Sequence, residues 1–361
     1  FASPTLPPLV PSRPRSALLE EQGYAILRRE NGTLYAALDY GHSGAGHGHP
    51  DRLNLVLVHG RDRWLDDLGT GSYVDPSLHW YRSTLAHNAL LVDGRLQERV
   101  HGALVAYDDR DDAGWVRAKV DGVAPGVTFD RTLVAMSNYV LDELSWHSDR
   151  DVQVDLPFHA DGELVGVEFW ERANPNGSAG LEDGFRFLSN TETTTASGVV
   201  RLRARIDSAT ADARFIVDAA STWWRATAFG APGSVPARFH FLRMNGRRGK
   251  AVSVWDVHGA VESIASQDGR VIVDLGDGSR HEHRRGDRSW HVSIVTPGGT
   301  TTVDLGGARE RARALAARPG AARAPLVIPR LHAAPGSVSR LMLHLSESNY
   351  RRSESAWSDA G

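Results

Sequence analysis

A mainly β fold, arranged as a large antiparallel β-sandwich with one short helix, is what this sequence predicts. Three observations carry the prediction. Apolar or alternating runs of strand length recur from residue 24 onward, turn-forming pairs with glycine separate many of them, and only one stretch has a convincingly helical composition.

The first runs are YAILRR (24–29), TLYAALDY (33–40), LNLVLVHG (53–60) and ALLVDG (89–94). The rhythm continues through GWVRAKVDG (114–122), VTFDRTLVAM (127–136), YVLDELSWHS (139–148), VQVDLPFHA (152–160), VVRLRARID (199–207) and RFIVDAA (214–220). It resumes in ARFHFLRMNG (237–246), AVSVWDVHG (251–259), RVIVDLGDG (270–278) and SWHVSIVT (289–296). The pairs Asp93-Gly94, Asp121-Gly122, Asn245-Gly246 and Asp277-Gly278 read as turns, because glycine accepts the positive φ that tight hairpins need. The helix is GARERARALAARPG (307–320), rich in alanine and arginine and closed by glycine.

Domain organisation follows from composition. Residues 1–20 begin FASPTLPPLVPSRPRS and read as a linker entered in mid-chain. Residues 21–345 form the sandwich, with a glycine-, asparagine- and threonine-rich stretch near 172–198 that divides it into two sub-layers. Residues 346–361 read as the start of a following, truncated module. The N-terminus has neither the basic nor the apolar region of a signal peptide, and no run of 18 apolar residues spans a membrane. Net charge is −3, so there is no overall basic field for nucleic acid or an anionic membrane. Cysteine is absent, which removes disulfide and thiolate chemistry.

The chemistry-bearing stretch is GHGHPD (46–51). On an extended chain, residues two apart face the same side, so His47 and His49 project together. Downstream lie RWLDDLGTGSY, with Asp66, Asp67 and Tyr73, and YRSTLAHNALLVDG, with His87 immediately before a strand. Imidazole nitrogen and carboxylate oxygen are the usual non-thiolate donors to zinc, and three of them leave one position open. The spacings are long, so these residues meet only if the sheet brings them together. A polar loop that merely holds two imidazoles remains the alternative at this point.

These blocks, GHGHPDRLNLVL, WLDDLGTGSY and YRSTLAHNALLVDG, resemble the signature of heparinase II/III-like polysaccharide lyases, a family that includes alginate and oligoalginate lyases. The motifs are dense over residues 41–94, and the remainder resembles the family by rhythm. The resemblance implies a supersandwich-like β domain, β-elimination on a uronic-acid polysaccharide, and zinc held by His49, Asp67 and His87 in a mainly structural role. His47 and Tyr73 match positions facing the substrate. Asp51, Arg82 and Asn88 match positions that orient the imidazoles or fix the loop. Family members place an (α/α) toroid of helices before this sandwich, carrying the tyrosine base and acid and an Asn-His pair. These residues contain no such helical domain, so the chain resembles the C-terminal β half of a lyase, inactive alone. Periplasmic or secreted action is implied as well. Oligomeric state is open. The competing reading is a non-catalytic carbohydrate-binding sandwich with a structural zinc.

Two further features are read as structural. The second His-x-His, in RHEHRRGDR (280–288), reads as a solvated hairpin. Of Trp223 and Trp224, neighbours facing opposite sides of a strand, one is expected in the core and at most one exposed to stack on sugar.

Overall fold

The computed structural model describes residues 14–41, 48–175, 184–217 and 221–306. The predicted helix over 307–320 and the expected module over 346–361 lie outside them, as does His47. Three antiparallel sheets account for the described strands. The first is a five-stranded meander: β1 (Ala17–Leu19), β2 (Tyr24–Arg29), β3 (Leu34–Asp39), β4 (Asn54–His59) and β5 (Asp62–Leu65). Strand pairing thus begins at Ala17, opposite Ile26. The one α-helix among the described residues, α1 (Leu78–Tyr81), follows.

The second sheet has twelve strands. They are β6 (Leu91–Val92), β7 (Gly102–Asp109), β8 (Ala113–Asp121), β9 (Val127–Met136), β10 (Val140–Phe158), β11 (Gly162–Leu164), β12 (Glu171–Arg172), β13 (Ser189–Ala196), β14 (Val199–Ile206), β15 (Ala209–Val217), β16 (Ser221–Ala228) and β17 (Ala237–Asp256). The third is a second five-stranded meander: β18 (Val261–Gln267), β19 (Arg270–Leu275), β20 (Arg280–Arg285), β21 (Trp290–Thr296) and β22 (Gly299–Leu305).

The spine is the long ribbon of β10 and β17, paired from Val140–Trp255 to Phe158–His240. Here the structure departs from the sequence expectation. Asn245-Gly246 does not reverse the chain; it lies inside β17, opposite Gln153 and Val152, beside a register shift between His147 and Val152. Cross-strand pairing on a long partner overrides a local turn preference, and the shift is absorbed as a bulge. At Asp93-Gly94 the turn does form: both residues have positive φ, and Val92 bridges to Arg95.

The central strands of the twelve-stranded sheet are buried on both faces, and their alternation assigns each residue to one. Val116, Ala118, Val120, Phe129, Leu133 and Leu144 join the first sheet in one apolar core. Trp115, Val134, Met136, Leu141, Val252 and Val254 face the third sheet in another. Period 2 also splits the charges. Asp142 pairs with Arg131, whose guanidinium reaches into the connections of the first sheet, whereas its neighbour Glu143 pairs with Arg285 of the third. A third cluster packs Trp80, Tyr81 and Leu85 against Trp224, Phe239 and Phe241.

Both tryptophans of the adjacent pair are buried, so neither is exposed to stack on sugar. Trp223 packs edge-on against Phe215, and Trp224 stacks on Phe241 with the Arg243 guanidinium over its ring. Each face of this strand is covered, so opposite orientation does not mean exposure.

The second His-x-His is likewise not a solvated hairpin. His281 and His283 point inward from β20 and are buried. The Tyr139 hydroxyl lies 2.8 Å from His281 Nδ1 and 2.6 Å from His283 Nε2, and the Trp290 indole N–H donates to His283 Nδ1. That last bond leaves the His283 proton on Nε2, which donates to the tyrosine oxygen, and the tyrosine then donates to His281. Mixed charge in the flanking sequence belongs to the outward residues of the same strand.

Burial depresses both imidazoles, with the His281 charge adding to the effect on His283, which falls to about 3. Such a group stays neutral in the fold while the unfolded chain takes up its proton below the ordinary value of 6.5. Stability contributed by the neutral pair is therefore complete above 6.5 and is lost as acid is added below it. We expect denaturant unfolding to show this loss between neutral pH and about pH 5, with a shallower slope in His283→Gln. Identical slopes in the two proteins would rule out this account.

Candidate functional site

Three connections around the first sheet deliver the predicted site residues. The β3–β4 connection carries His49 and Asp51, the β5–α1 connection carries Asp67 and Tyr73, and a 3-10 turn over Thr84–Ala86 delivers His87. The His49 and His87 rings tilt toward each other with centroids 5.1 Å apart, and His49 Nδ1 lies 3.2 Å from His87 Nε2. The Thr70 hydroxyl lies 3.0 Å from His49 Nε2. His87 is fully buried, and its Nδ1 faces two carboxylates, Asp67 Oδ1 at 3.4 Å and Asp51 Oδ2 at 3.7 Å. That nitrogen makes no hydrogen bond within normal limits.

The tightest cation-competent group at this site is His49, Asp51 and His87, with one donor atom from each within 4.8 Å of the others. Asp67 sits beside it, on the Nδ1 side of His87. Asn88 and Arg82 occupy the frame: Asn88 is fully buried, and Arg82 caps α1 half-buried. Tyr73 is about half exposed, at 55 %.

The electrostatics follow from burial and these partners. Burial pushes the His87 imidazolium down, but Asp51 and Asp67 more than offset it and hold it up to about 9. Burial raises Asp67, and His87 and the Gly69 N–H overcome this to leave its carboxyl well below the usual range. Burial lowers His49, with the His87 charge acting in the same direction and that of Arg82 more weakly. The site thus calls for one positive charge next to His87. A proton can supply it, and so can a metal ion.

The donor set fits zinc. A tetrahedral ion with bonds of about 2.0–2.2 Å keeps its ligand atoms about 3.3–3.6 Å apart. His87 Nδ1 lies at about that distance from Asp67 Oδ1 and Asp51 Oδ2, at 3.4 and 3.7 Å, whereas His49 Nδ1 approaches the other ring nitrogen, Nε2, at 3.2 Å.

The supporting shell holds side chains that sequence reasoning missed. Arg52 donates to Asp51 at 2.5 Å, to Asp39 and to the His49 carbonyl. The Asn54 amide donates to Asp67 Oδ2, while its oxygen accepts the Asn88 backbone N–H. Asn88 donates to the Leu55 and Asp66 carbonyls and accepts the His159 backbone N–H. Gln97 bridges Arg52 to Leu90, and the Thr84 hydroxyl donates to the Pro50 carbonyl. Leu53 adopts φ +64, uncommon for a branched residue, and is pinned by its N–H to Asp39 and its carbonyl to Arg131. Asn88, with Asp51 and Arg82, is expected from the motif as a frame residue; Arg52, Asn54, Gln97, Thr84 and Arg131 are not. Asn54 looks like a polar position inside an apolar strand, and Arg131 like the outward half of an alternating one.

The model of the family described as "Heparinase II/III-like, C-terminal" matches residues 11–307, and the chain belongs to that family. An alginate lyase of Stenotrophomonas maltophilia is 29 % identical over 195 residues, covering 46 % of this chain and 26 % of that protein. An exo-oligoalginate lyase of Saccharophagus degradans is 25 % identical over 172 residues, covering 40 % and 23 %. The matched stretch is thus about a quarter of the length of each relative. The crystal structure of heparinase III superposes with a TM-score of 0.56 at 15 % identity, over 82 % of this chain and 43 % of that one, a likeness of fold.

Arg131 provides a test of the frame. It is fully buried, forms a two-pronged pair with Asp142, and donates to the Leu53 and Asn88 carbonyls. Arg131→Ala strands a buried carboxylate and two carbonyls, so a loss of about 3–5 kcal/mol is expected in equilibrium unfolding. A loss below about 1 kcal/mol, the range of a surface pair, contradicts this role.

Proposed function

We propose that this chain is the β-sandwich part of a polysaccharide lyase that cleaves uronic-acid-containing polymers by β-elimination. Membership of the heparinase II/III-like family over residues 11–307 is the observation that carries the reading. The names of the two curated relatives favour an alginate-type substrate.

In β-elimination the C5 proton leaves, the O4 leaving group takes a proton, and negative charge develops on the C6 carboxylate. Preorganised donors stabilise that charge better than water. Histidine suits proton transfer near neutral pH, and tyrosine, with an ordinary pKa of about 10, needs nearby positive charge to act as a base. We assign His47 and Tyr73 to the substrate side. The exposure of Tyr73 supports this for the tyrosine, and motif position supports it for His47. The remaining acid–base and carboxylate-neutralising groups are assigned to a helical toroid in the same polypeptide, acting in the periplasm or outside the cell.

Zinc is assigned to His49, His87 and Asp67. Asp67 is preferred to Asp51 because Arg52 already balances the Asp51 charge. The ion would hold together three connections of the chain and so fix the loop that bears Tyr73; its contribution is positional. His49, His87 and Asp67 orient one another, and Asn54 and the Gly69 N–H hold the Asp67 carboxylate from behind.

Zinc content by mass spectrometry after dialysis should fall by one equivalent per chain in His87→Ala and Asp67→Asn, with a lower melting temperature. Asp51→Asn should retain most of the metal. Retention in Asp67→Asn with loss in Asp51→Asn would exchange the two carboxylates, and a zinc-free wild type removes the metal altogether.

The reaction itself is read from the ultraviolet absorbance of unsaturated uronide products. The full-length protein should produce them from alginate or another uronate polymer, and the 361 residues alone should not. Sugar binding without any such product from the full-length protein would favour a non-catalytic sandwich. Rapid elimination by the isolated 361 residues would show that no helical partner is needed.

A further inference from the structure

We infer that Glu30, His59 and His258 form a second site for a divalent transition-metal ion, zinc being the expected one, apart from the cluster at His87. The three residues come from distant parts of the chain: the turn after β2, the last position of β4, and the turn between β17 and β18. Glu30 Oε2 lies 3.1 Å from His59 Nε2, and Oε1 lies 2.5 Å from His258 Nε2. The two rings meet edge to face, with centroids 4.7 Å apart. One donor atom from each residue lies within 4.8 Å of the others.

Each donor is positioned by its backbone. The buried Asp256 carboxylate accepts the N–H groups of His258, Ala260 and Val261, which fixes the turn that presents His258. Glu30 has φ +55 and Asn31 φ +57, left-handed conformations at consecutive non-glycine residues. The Glu30 carbonyl is held by the Thr33 N–H, and the Thr33 carbonyl by the Gly60 N–H next to His59. A strained backbone that aims a carboxylate between two imidazoles calls for a function beyond the ion pair itself. Side-chain exposures of 24–33 % make such pairs weak contributors to stability.

Two imidazoles and a carboxylate are borderline donors. They suit zinc, nickel or copper ions and not calcium or magnesium, which take oxygen ligands. Three protein donors on a partly exposed surface leave a coordination position for water. An ion there would clamp one end of the inner strands of the first sheet to the turn that leads into the third.

Zinc chloride titrated into the metal-stripped 361-residue chain tests it by calorimetry and thermal unfolding. The His87→Ala variant should retain one saturable zinc site and a zinc-dependent rise in melting temperature. Adding His258→Gln or His59→Gln to that background should abolish both, with unchanged circular dichroism. Glu30→Gln should weaken binding while leaving the fold intact, and magnesium should give no response in any variant. Zinc binding that is undiminished by His258→Gln and His59→Gln, or absent from His87→Ala, overturns the proposal. If His87→Ala proves unfolded, wild type against His258→Gln must differ by one zinc equivalent, and equal stoichiometry overturns it.

Discussion

The buried Arg131 guanidinium is the interaction on which the site and the middle sheet both depend. One side of it pairs with Asp142 on the β10 spine, and the other donates to the carbonyls of Leu53 and Asn88. Those carbonyls belong to the two segments that present His49 with Asp51 and His87. A charge without solvent is costly, and it is tolerable only when every donor finds an acceptor. The site loops supply the acceptors that the ion pair alone leaves missing. Loop geometry is therefore coupled to the core of the large sheet.

The same sheet explains how one chain carries several independent polar clusters. Because its central strands are covered on both faces, alternate residues on one strand report to different partners. Asp142 and Glu143 are neighbours in sequence but serve the first and third sheets respectively. The Tyr139–His281–His283–Trp290 chain of hydrogen bonds lies on the third-sheet side. The His49–His87 cluster lies among the connections of the first sheet. Neither histidine pair needs the other, although both begin from the same His-x-His spelling.

Much of the β architecture was legible in period and punctuation. YAILRR and VTFDRTLVAM coincide with strands β2 and β9. The signal failed where long-range pairing outweighed local preference, as at Asn245-Gly246 inside β17. It also failed where a second sheet covers the face that a charged hairpin pattern assigns to water, as at His281 and His283. The spacing of His49, Asp67 and His87 indicated residues that meet only through the fold, and His49 and His87 do meet at 3.2 Å. That Asp51 approaches the pair as closely as it does was not legible, because its distance depends on Arg52, Asp39 and the positive φ of Leu53.

By itself the sequence determined the residue types, the strand rhythm and the motif blocks over 41–94. These are local quantities, set by side-chain chemistry and by the two-residue repeat of an extended chain. Tertiary structure alone decided which histidines share an environment, which carboxylate faces which nitrogen, and which charges are buried. Donors hundreds of residues apart, such as Glu30 and His258, become neighbours only when sheets stack, and no spacing along the chain encodes that contact.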